Sequence, residues 1–246
     1  MAVKFTYYGG MCVLAERSDG FKMVFDPYLN KNELSPIKAS ELYDVDLVLV
    51  THYAGDHLGD AVEIIKNSKA TLIAPTDVIY ALRMQYDLPK SQCISSAYGD
   101  FREFGETVIH TVWAEHQSKF DIEGHIRTFG IPAGFVAEIE PGVTYYHTGD
   151  TALNNEMKLI RDLFAPEVMC VGIDSVKAKR GSIEMGPREA AMACSFVGAK
   201  VVIPTHYSTA RNAPEVFATH MASFCPKAIL KKEIGVPFTV TPLKVD

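Results

Sequence analysis

The chain carries, from Asp46 to His57, the stretch Asp-Leu-Val-Leu-Val-Thr-His-Tyr-Ala-Gly-Asp-His. Its first five residues are almost continuously apolar and rich in valine, which predicts a strand buried on both faces, as in a parallel sheet. Polar residues follow at once, including His52, Asp56 and His57. Because α/β folds place their sites at the carboxyl ends of such strands, this stretch predicts both the fold class and the position of a functional site.

Apolar runs of the same kind recur along the chain and alternate with helical patterns. The strand candidates are residues 4–8, 12–16, 22–25, 46–50, 70–74, 107–113, 134–139, 144–147, 167–173 and 200–204. The helix candidates are residues 60–66, 77–86, 154–163, 186–196 and 214–224. Both halves begin with strands and pass into strand and helix alternation. The pattern therefore predicts an α/β fold of two packed sheets with helices outside.

Length and composition are those of an ordinary globular protein. The chain has 246 residues, of which 48% are hydrophobic and 22% charged, and no low-complexity tract or linker divides it. We therefore expect one domain over residues 1–246. The 24 basic and 30 acidic residues give a net charge of −6, which disfavours a nucleic acid as partner.

The five cysteines are scattered and never form a C-x-x-C pair. This spacing predicts neither a disulfide framework nor a thiolate zinc site, and it indicates a reducing compartment. No segment approaches the roughly 20 apolar residues that span a bilayer. We therefore expect a soluble, cytoplasmic protein without a membrane partner. The sequence leaves the oligomeric state open, a homo-oligomer included.

Four strand candidates end in a segment that contains histidine or aspartate. These segments are residues 51–57, Ala114-Glu115-His116, Thr148-Gly149-Asp150 and Thr205-His206-Tyr207. Imidazole nitrogen and carboxylate oxygen are ligands that suit zinc, iron or manganese, so the pattern predicts a metal centre. The competing interpretation is a set of ordinary loop histidines and caps, with Asp56 capping the helix that follows.

At this point the chain resembles the metallo-β-lactamase superfamily, and within it the small metal-dependent hydrolases related to ascorbate-phosphate lactonase. The resemblance runs from end to end. The shared features are Phe25-Asp26-Pro27-Tyr28-Leu29, Ser35-Pro36-Ile37-Lys38, residues 52–60, Tyr146-His147-Thr148-Gly149-Asp150 and Met185-Gly186-Pro187. The resemblance implies a four-layer αββα sandwich, with divalent metal at the edge where the two sheets meet.

The resemblance also implies the metal ligands. A first site would take His52 and His116, a second would take Asp56, His57 and His206, and Asp150 would bridge the two. Zinc or manganese is the expected ion. The resemblance further suggests that Asp56 also orients the nucleophile and that Asp150 is the anionic anchor, so both are assigned catalytic roles.

Two positions depart from the family pattern. The second histidine of the family motif falls on Ala54, whose methyl group cannot bind metal, and Gly10 stands where relatives usually carry a histidine after the first strand. The first site is therefore one ligand short, and we expect the second site to be the occupied one, with one or two ions in all. Three origins of Ala54 stay open: natural divergence with activity retained, natural divergence toward a silent protein, and an engineered substitution.

Other side chains near these segments carry secondary hypotheses. Asp26 is a candidate partner of a ligand histidine, and Tyr207 could offer its phenol to a developing oxyanion or simply form a wall. The remaining histidines, at positions 110, 125, 147 and 220, are expected to be structural, with His125 in a polar loop. The basic run at residues 177–181 is expected to be a solvated loop, or else a contact for an anionic substrate.

Taken together, these features predict a hydrolase in which metal-activated water attacks an ester, lactone or phosphoester bond of a small metabolite. The alternative is a catalytically weak or silent metal-binding or ligand-binding relative, which Ala54 and Gly10 favour. A nuclease of the same superfamily is disfavoured by the net charge and by the absence of a long insertion.

Overall fold

The computed structural model describes residues 2–122, 125–128, 130–174 and 183–242. In chain order the strands are β1 (Val3–Tyr7), β2 (Val13–Glu16), β3 (Lys22–Phe25), β4 (Leu47–Leu49), β5 (Thr71–Pro75), β6 (Cys93–Ser96), β7 (Phe101–Phe104), β8 (Thr107–Trp113), β9 (Lys119–Ile122), β10 (His125–Thr128), β11 (Ala133–Glu140), β12 (Val143–His147), β13 (Val168–Gly172), β14 (Val201–Thr205), β15 (Ile229–Leu230) and β16 (Phe238–Val240). The helices are α1 (Gly55–Leu58), α2 (Ala61–Asn67), α3 (Thr76–Tyr86), α4 (Glu156–Phe164), α5 (Pro187–Val197) and α6 (Ala213–Phe224), with short 3₁₀ turns at Ala39–Leu42 and Lys90–Gln92.

The strands form two sheets of seven and one separate hairpin. The first sheet has the order β16-β1-β2-β3-β4-β5-β6, the second has the order β15-β14-β13-β12-β11-β8-β7, and β9 pairs only with β10. In each large sheet an antiparallel part passes into a parallel part, at β3 to β6 and at β12 to β15. The parallel strands bring several carboxyl ends to one edge.

Alternate side chains of the buried strands face two different cores, which explains their continuous apolar character. Leu47 and Leu49 of β4 face the core between the sheets, whereas Val48 and Val50 pack beneath α2 and α3. In the second sheet Tyr145 faces the core between the sheets, and Tyr146 packs beneath α4, α5 and α6. The layers are therefore helix, sheet, sheet and helix, which confirms the predicted αββα sandwich.

The ten strand candidates and five helix candidates all correspond to observed elements, with ends that differ by one or two residues. The sequence reasoning missed β6, β7, β15, β16, the β9–β10 hairpin and the single turn α1. His125 was expected in a polar loop and lies instead in β10, so that expectation was wrong. The predicted basic loop at 177–181 lies outside the described residues. In the part of the chain that the structure describes, no helix is long and apolar enough to cross a membrane.

Candidate metal centre

The predicted site residues lie together where the carboxyl ends of strands from both sheets meet. Asp26 follows β3, His52 follows β4, His116 follows β8, Asp150 follows β12 and His206 follows β14. Hydrogen bonds join the two sheets at this edge: Ala133 N–H donates to the Thr51 carbonyl at 3.0 Å, and His206 N–H donates to the Gly10 carbonyl at 2.8 Å. The turn at Gly10 therefore borders the cluster.

The single turn α1 brings Asp56 and His57 back toward the cluster. The Ala54 carbonyl accepts the N–H groups of His57 and Leu58, at 3.1 and 2.8 Å, so that Ala54 is the cap residue and Asp56 lies inside the turn. The helix-cap interpretation of Asp56 is therefore wrong. Its carboxylate lies 3.3 Å from His206 Nε2, and this contact is the largest of the effects that lower the pKa of Asp56 to about 2.

Three imidazoles converge on one oxygen of Asp150. The Nε2 atoms of His57, His206 and His116 lie 3.3, 3.6 and 3.8 Å from Asp150 Oδ2. His52 belongs to the same cluster, because its ring centroid is 4.2 Å from that of His57 and 5.0 Å from that of His116. The structure thus brings together every residue that the sequence placed at the metal centre.

The outer hydrogen bonds of these imidazoles set their tautomers. His57 Nδ1 donates to the Asp26 carboxylate at 2.8 Å, and His116 Nδ1 donates to the Ile183 carbonyl at 3.0 Å, since neither acceptor can donate. The Thr51 hydroxyl donates to Asp26 at 2.8 Å and therefore accepts from His52 Nδ1 at 3.1 Å. In the neutral form each of the three rings keeps its Nε2 lone pair free, which is the arrangement found behind metal-binding histidines.

A buried nitrogen tests whether the site fits a metal ion. His57 Nε2 is fully buried, points at the cluster and makes no hydrogen bond to any part of the chain that the structure describes. Its contact with Asp150 Oδ2 at 3.3 Å is an ion pair without hydrogen-bond geometry, so a bound ion would supply the direct partner that this buried nitrogen lacks. Burial lowers the pKa of His57, but the carboxylates of Asp150 and Asp26 outweigh it and raise the pKa, so that an entering cation must displace a proton.

The donor atoms fall into overlapping groups of the size that holds one ion. Within each group all ligand atoms lie within 4.8 Å of one another, and the groups are His52, His116 and Asp150; Asp56, His57 and His206; and Asp150, Glu184 and His206. The first two groups match the two predicted sites. Glu184 was not identified from the sequence, because nothing in its local pattern shows that its loop returns to this edge.

Asp26 lies behind the cluster and is completely buried. Its carboxylate accepts from Thr51 N and Thr51 Oγ1, both at 2.8 Å, as well as from His57 Nδ1 and from His147 Nε2 at 3.1 Å. His147, expected to be structural, also contacts the Tyr145 hydroxyl at 2.8 Å. Burial lowers the pKa of His147, but contacts with the Cys170 sulfur and Asp26 raise it on balance to about 9.

Glycine at position 149 lets the two sheets approach each other here. Its φ is +57°, and a Cβ at this position would lie 2.9 Å from the Thr51 side chain. The remaining predicted residue, Tyr207, packs against the core between the sheets and interacts with the Tyr7 hydroxyl. It also lines a cleft of about 520 Å³, together with Arg211, Glu215 and Lys232.

Comparisons with known proteins agree with this architecture. Residues 22–207 match the model of the beta-lactamase superfamily domain. A UPF0173 metal-dependent hydrolase of Methanopyrus kandleri is 40% identical over 192 residues, which cover 78% of each chain. A protein of the same name from Archaeoglobus fulgidus is 36% identical over 208 residues, which cover 84% of each chain. Among solved structures, the metallo hydrolase Igni18 of Ignicoccus hospitalis superposes with a TM-score of 0.80 at 28% identity, covering 98% of this chain and 99% of that one.

Proposed function

Because the chain belongs to the UPF0173 metal-dependent hydrolases of the β-lactamase superfamily, we propose that it hydrolyses an ester, lactone or phosphoester bond of a small metabolite. The observation that carries the proposal is the convergence of three Nε2 atoms on one oxygen of Asp150. A divalent ion held there supplies a nucleophilic water at neutral pH and polarises the oxygen of the bond to be broken.

The residues of the chain divide the remaining work. Asp150, with only 8% of its side chain exposed, would anchor the cation. His57 and His206 would hold it from the second half of the cluster, which is the group of Asp56, His57 and His206. Asp56 has 52% of its side chain exposed, so that its carboxylate both binds and faces solvent. Since its lowered pKa keeps it ionised at neutral pH, Asp56 accepts a hydrogen bond from the attacking water and orients it.

The substrate is expected to be small and to carry an anionic group. The cleft that Tyr207 lines carries the cationic side chains of Arg211 and Lys232 beside Glu215, and Arg211 is held by Asp174 at 3.0 Å. Such side chains attract a phosphate or carboxylate. The proposal places the protein in a reducing, cytoplasmic setting, which the free state of all five cysteines supports.

The metal content is the first test of the proposal. Zinc and manganese are both candidates, and we expect one tightly held equivalent per chain, in the half of the cluster formed by Asp56, His57 and His206. The measurement is elemental analysis of protein that has been purified without chelator. Two tightly held equivalents would contradict the expectation that Ala54 weakens the first half, and no bound metal would overturn the proposal.

A silent metal-binding protein is the second candidate function, and Ala54 is the observation that favours it. Turnover of generic lactones and phosphodiesters, with added manganese or zinc, separates the two functions when the chain is compared with Ala54→His. Ala222→His adds an imidazole on the exposed face of α6 and is the matched control. Comparable turnover in all three proteins supports the hydrolase. Turnover that appears only in Ala54→His supports the silent form.

Self-association is a lesser part of the proposal. Large apolar side chains are exposed in the loop before β7, on β7 and on α4, and three of them, Tyr98, Leu159 and Leu163, line one cleft; the fourth is Phe101. Exposed apolar groups of this kind are typical of protein interfaces. Light scattering coupled to size exclusion, at several protein concentrations, tests for a homo-oligomer; a monomer mass throughout would contradict it.

A further inference from the structure

The segment before α5 is fixed on both sides of Glu184. The Ile183 carbonyl accepts a hydrogen bond from His116 Nδ1 at 3.0 Å, so this residue is tied to the metal centre. Met185 is only 3% exposed and packs in the core beneath α5, which begins two residues later. Glu184 lies between these two anchors, and its backbone is therefore held close to the cluster.

The Glu184 carboxylate lies at the cluster itself. One of its oxygens is within 4.8 Å of ligand atoms of both Asp150 and His206, and the residue is half-buried. The buried Nε2 of His57 makes no hydrogen bond within the described residues, and it points at the same place, because it lies 3.3 Å from Asp150 Oδ2. Glu184 thus places a third carboxylate at a site that also holds Asp56 and Asp150.

We propose that Glu184 is a further ligand of the metal centre and biases it toward manganese. This inference rests on the proposed metal-dependent function. The complete donor set of the second half then consists of two imidazoles and three carboxylates: His57, His206, Asp56, Asp150 and Glu184. A set rich in carboxylate oxygens suits Mn²⁺, whereas zinc is usually four-coordinate and most of its protein ligands are His and Cys, with fewer carboxylates.

The proposed ligand offsets the donor that is missing at Ala54. The first half holds His52 and His116 without a third imidazole, and Glu184 supplies a further carboxylate to the second half. Like charges in a partly buried site repel one another, so a cation bound beside Glu184 and Asp150 lowers their repulsion. Fewer nitrogen donors and more oxygen donors both favour a single harder ion over a zinc pair.

Metal affinities of Glu184→Gln and Glu184→Ala test the proposal without any substrate. Dissociation constants for Mn²⁺ and Zn²⁺ are measured by competition with a chelator, and free Mn²⁺ is counted by electron paramagnetic resonance. Loss of a ligand is expected to weaken Mn²⁺ binding at least about 10–100-fold and Zn²⁺ binding less. Glu115→Gln removes the same charge from an exposed residue beside His116 and is expected to change neither affinity more than about threefold.

Thermal unfolding of the chelated variants shows whether each still folds. The inference is overturned if both Glu184 variants fold and bind Mn²⁺ within about threefold of the unaltered chain, or if Glu115→Gln weakens binding equally. Failure of the proposed function looks different: Mn²⁺ binds, Glu184 matters, and no ester, lactone or phosphoester is hydrolysed. A chain that binds neither ion overturns both.

Discussion

His52 and His57 lie side by side, with ring centroids 4.2 Å apart, yet their pKa values are shifted in opposite directions. His57 is backed by the Asp26 carboxylate and faces Asp150, and these charges outweigh burial and raise its pKa. His52 is backed only by the Thr51 hydroxyl, and burial lowers its pKa to about 3. Buried negative charge is therefore concentrated behind one half of the cluster. The half of the cluster that contains His52 is therefore held neutral, and the half that contains His57 is a cation site.

Asp26→Asn is expected to have the largest effect on this difference between the two histidines. Asparagine keeps the shape and tolerates the φ of +44° at this position, but its amide cannot accept from four donors. Removing one partner of a buried charge pair is expected to cost about 3–5 kcal/mol of unfolding free energy. Urea unfolding in the presence of chelator measures it.

Asp44→Asn is the control for that experiment, since Asp44 pairs with Lys22 at an exposed position and the change should stay within about 0.5 kcal/mol. A loss below about 1 kcal/mol for Asp26→Asn would mean that the buried carboxylate does not hold the two imidazoles.

The pH dependence of stability should distinguish a histidine that Asp26 holds charged, His147, from one that burial holds neutral, His52. His147, whose pKa is raised to about 9, contributes stability that is present below about pH 6.5 and lost as the pH rises through 9. His52, whose pKa is lowered to about 3, contributes stability that is present above about pH 6.5 and lost as the pH falls. Each group contributes a slope of about 1.4 kcal/mol per pH unit, which amounts to about 3 kcal/mol over the range of His147 and about 5 kcal/mol over that of His52.

The chelated protein should therefore be most stable near the pKa of free histidine, about 6.5. His147→Gln should flatten the alkaline limb of the curve and His52→Gln the acid limb, each measured by urea unfolding at a series of pH values. A curve whose limbs do not respond separately to the two substitutions would show that the two rings are not held in opposite charge states.

The cation itself should distinguish the two halves. His57→Gln is expected to weaken Mn²⁺ binding at least about 10–100-fold, which is about 1.4–2.8 kcal/mol. His52→Gln is expected to weaken it less than about threefold. Chelator competition measures both affinities, and each variant serves as the matched control for the other. Equal losses would indicate that the first half holds an ion in spite of Ala54.

Much of the fold followed from the sequence, because its strands are apolar on both faces and end abruptly in polar residues. β4 followed by His52, and β12 followed by Asp150, are clear in the sequence for this reason. β16 was missed because its three residues pair with β1 across nearly the whole chain, and α1 because four residues give no helical periodicity.

The site residues were predictable to a similar extent, and the prediction failed where a contact depends on chain segments that are distant in sequence. Positions that directly follow strands were found, whereas Glu184 depends on the path of a loop, and the contact of His147 with Asp26 joins residues 121 positions apart. The opposite charge states of His52 and His57 were not predictable, since both histidines follow one strand and only the packing behind the rings differs.

Thr51→Val is expected to have the smallest effect on stability. The hydroxyl donates to Asp26 and accepts from His52 Nδ1, so its loss removes the only described hydrogen bond of the His52 ring and one of four at Asp26. The expected cost is about 1–2 kcal/mol of unfolding free energy. Nitrogen NMR of the imidazoles should show His52 no longer confined to one tautomer, while His57 keeps its Nδ1 proton.

Thr51→Ser retains the hydroxyl and is the control. If the half that contains His52 is independent of the half that contains His57, Thr51→Val leaves Mn²⁺ affinity within about threefold of its original value. Asp26 still accepts from Thr51 N, His57 and His147 in that variant. A larger loss would mean that the two halves act as one unit through Thr51.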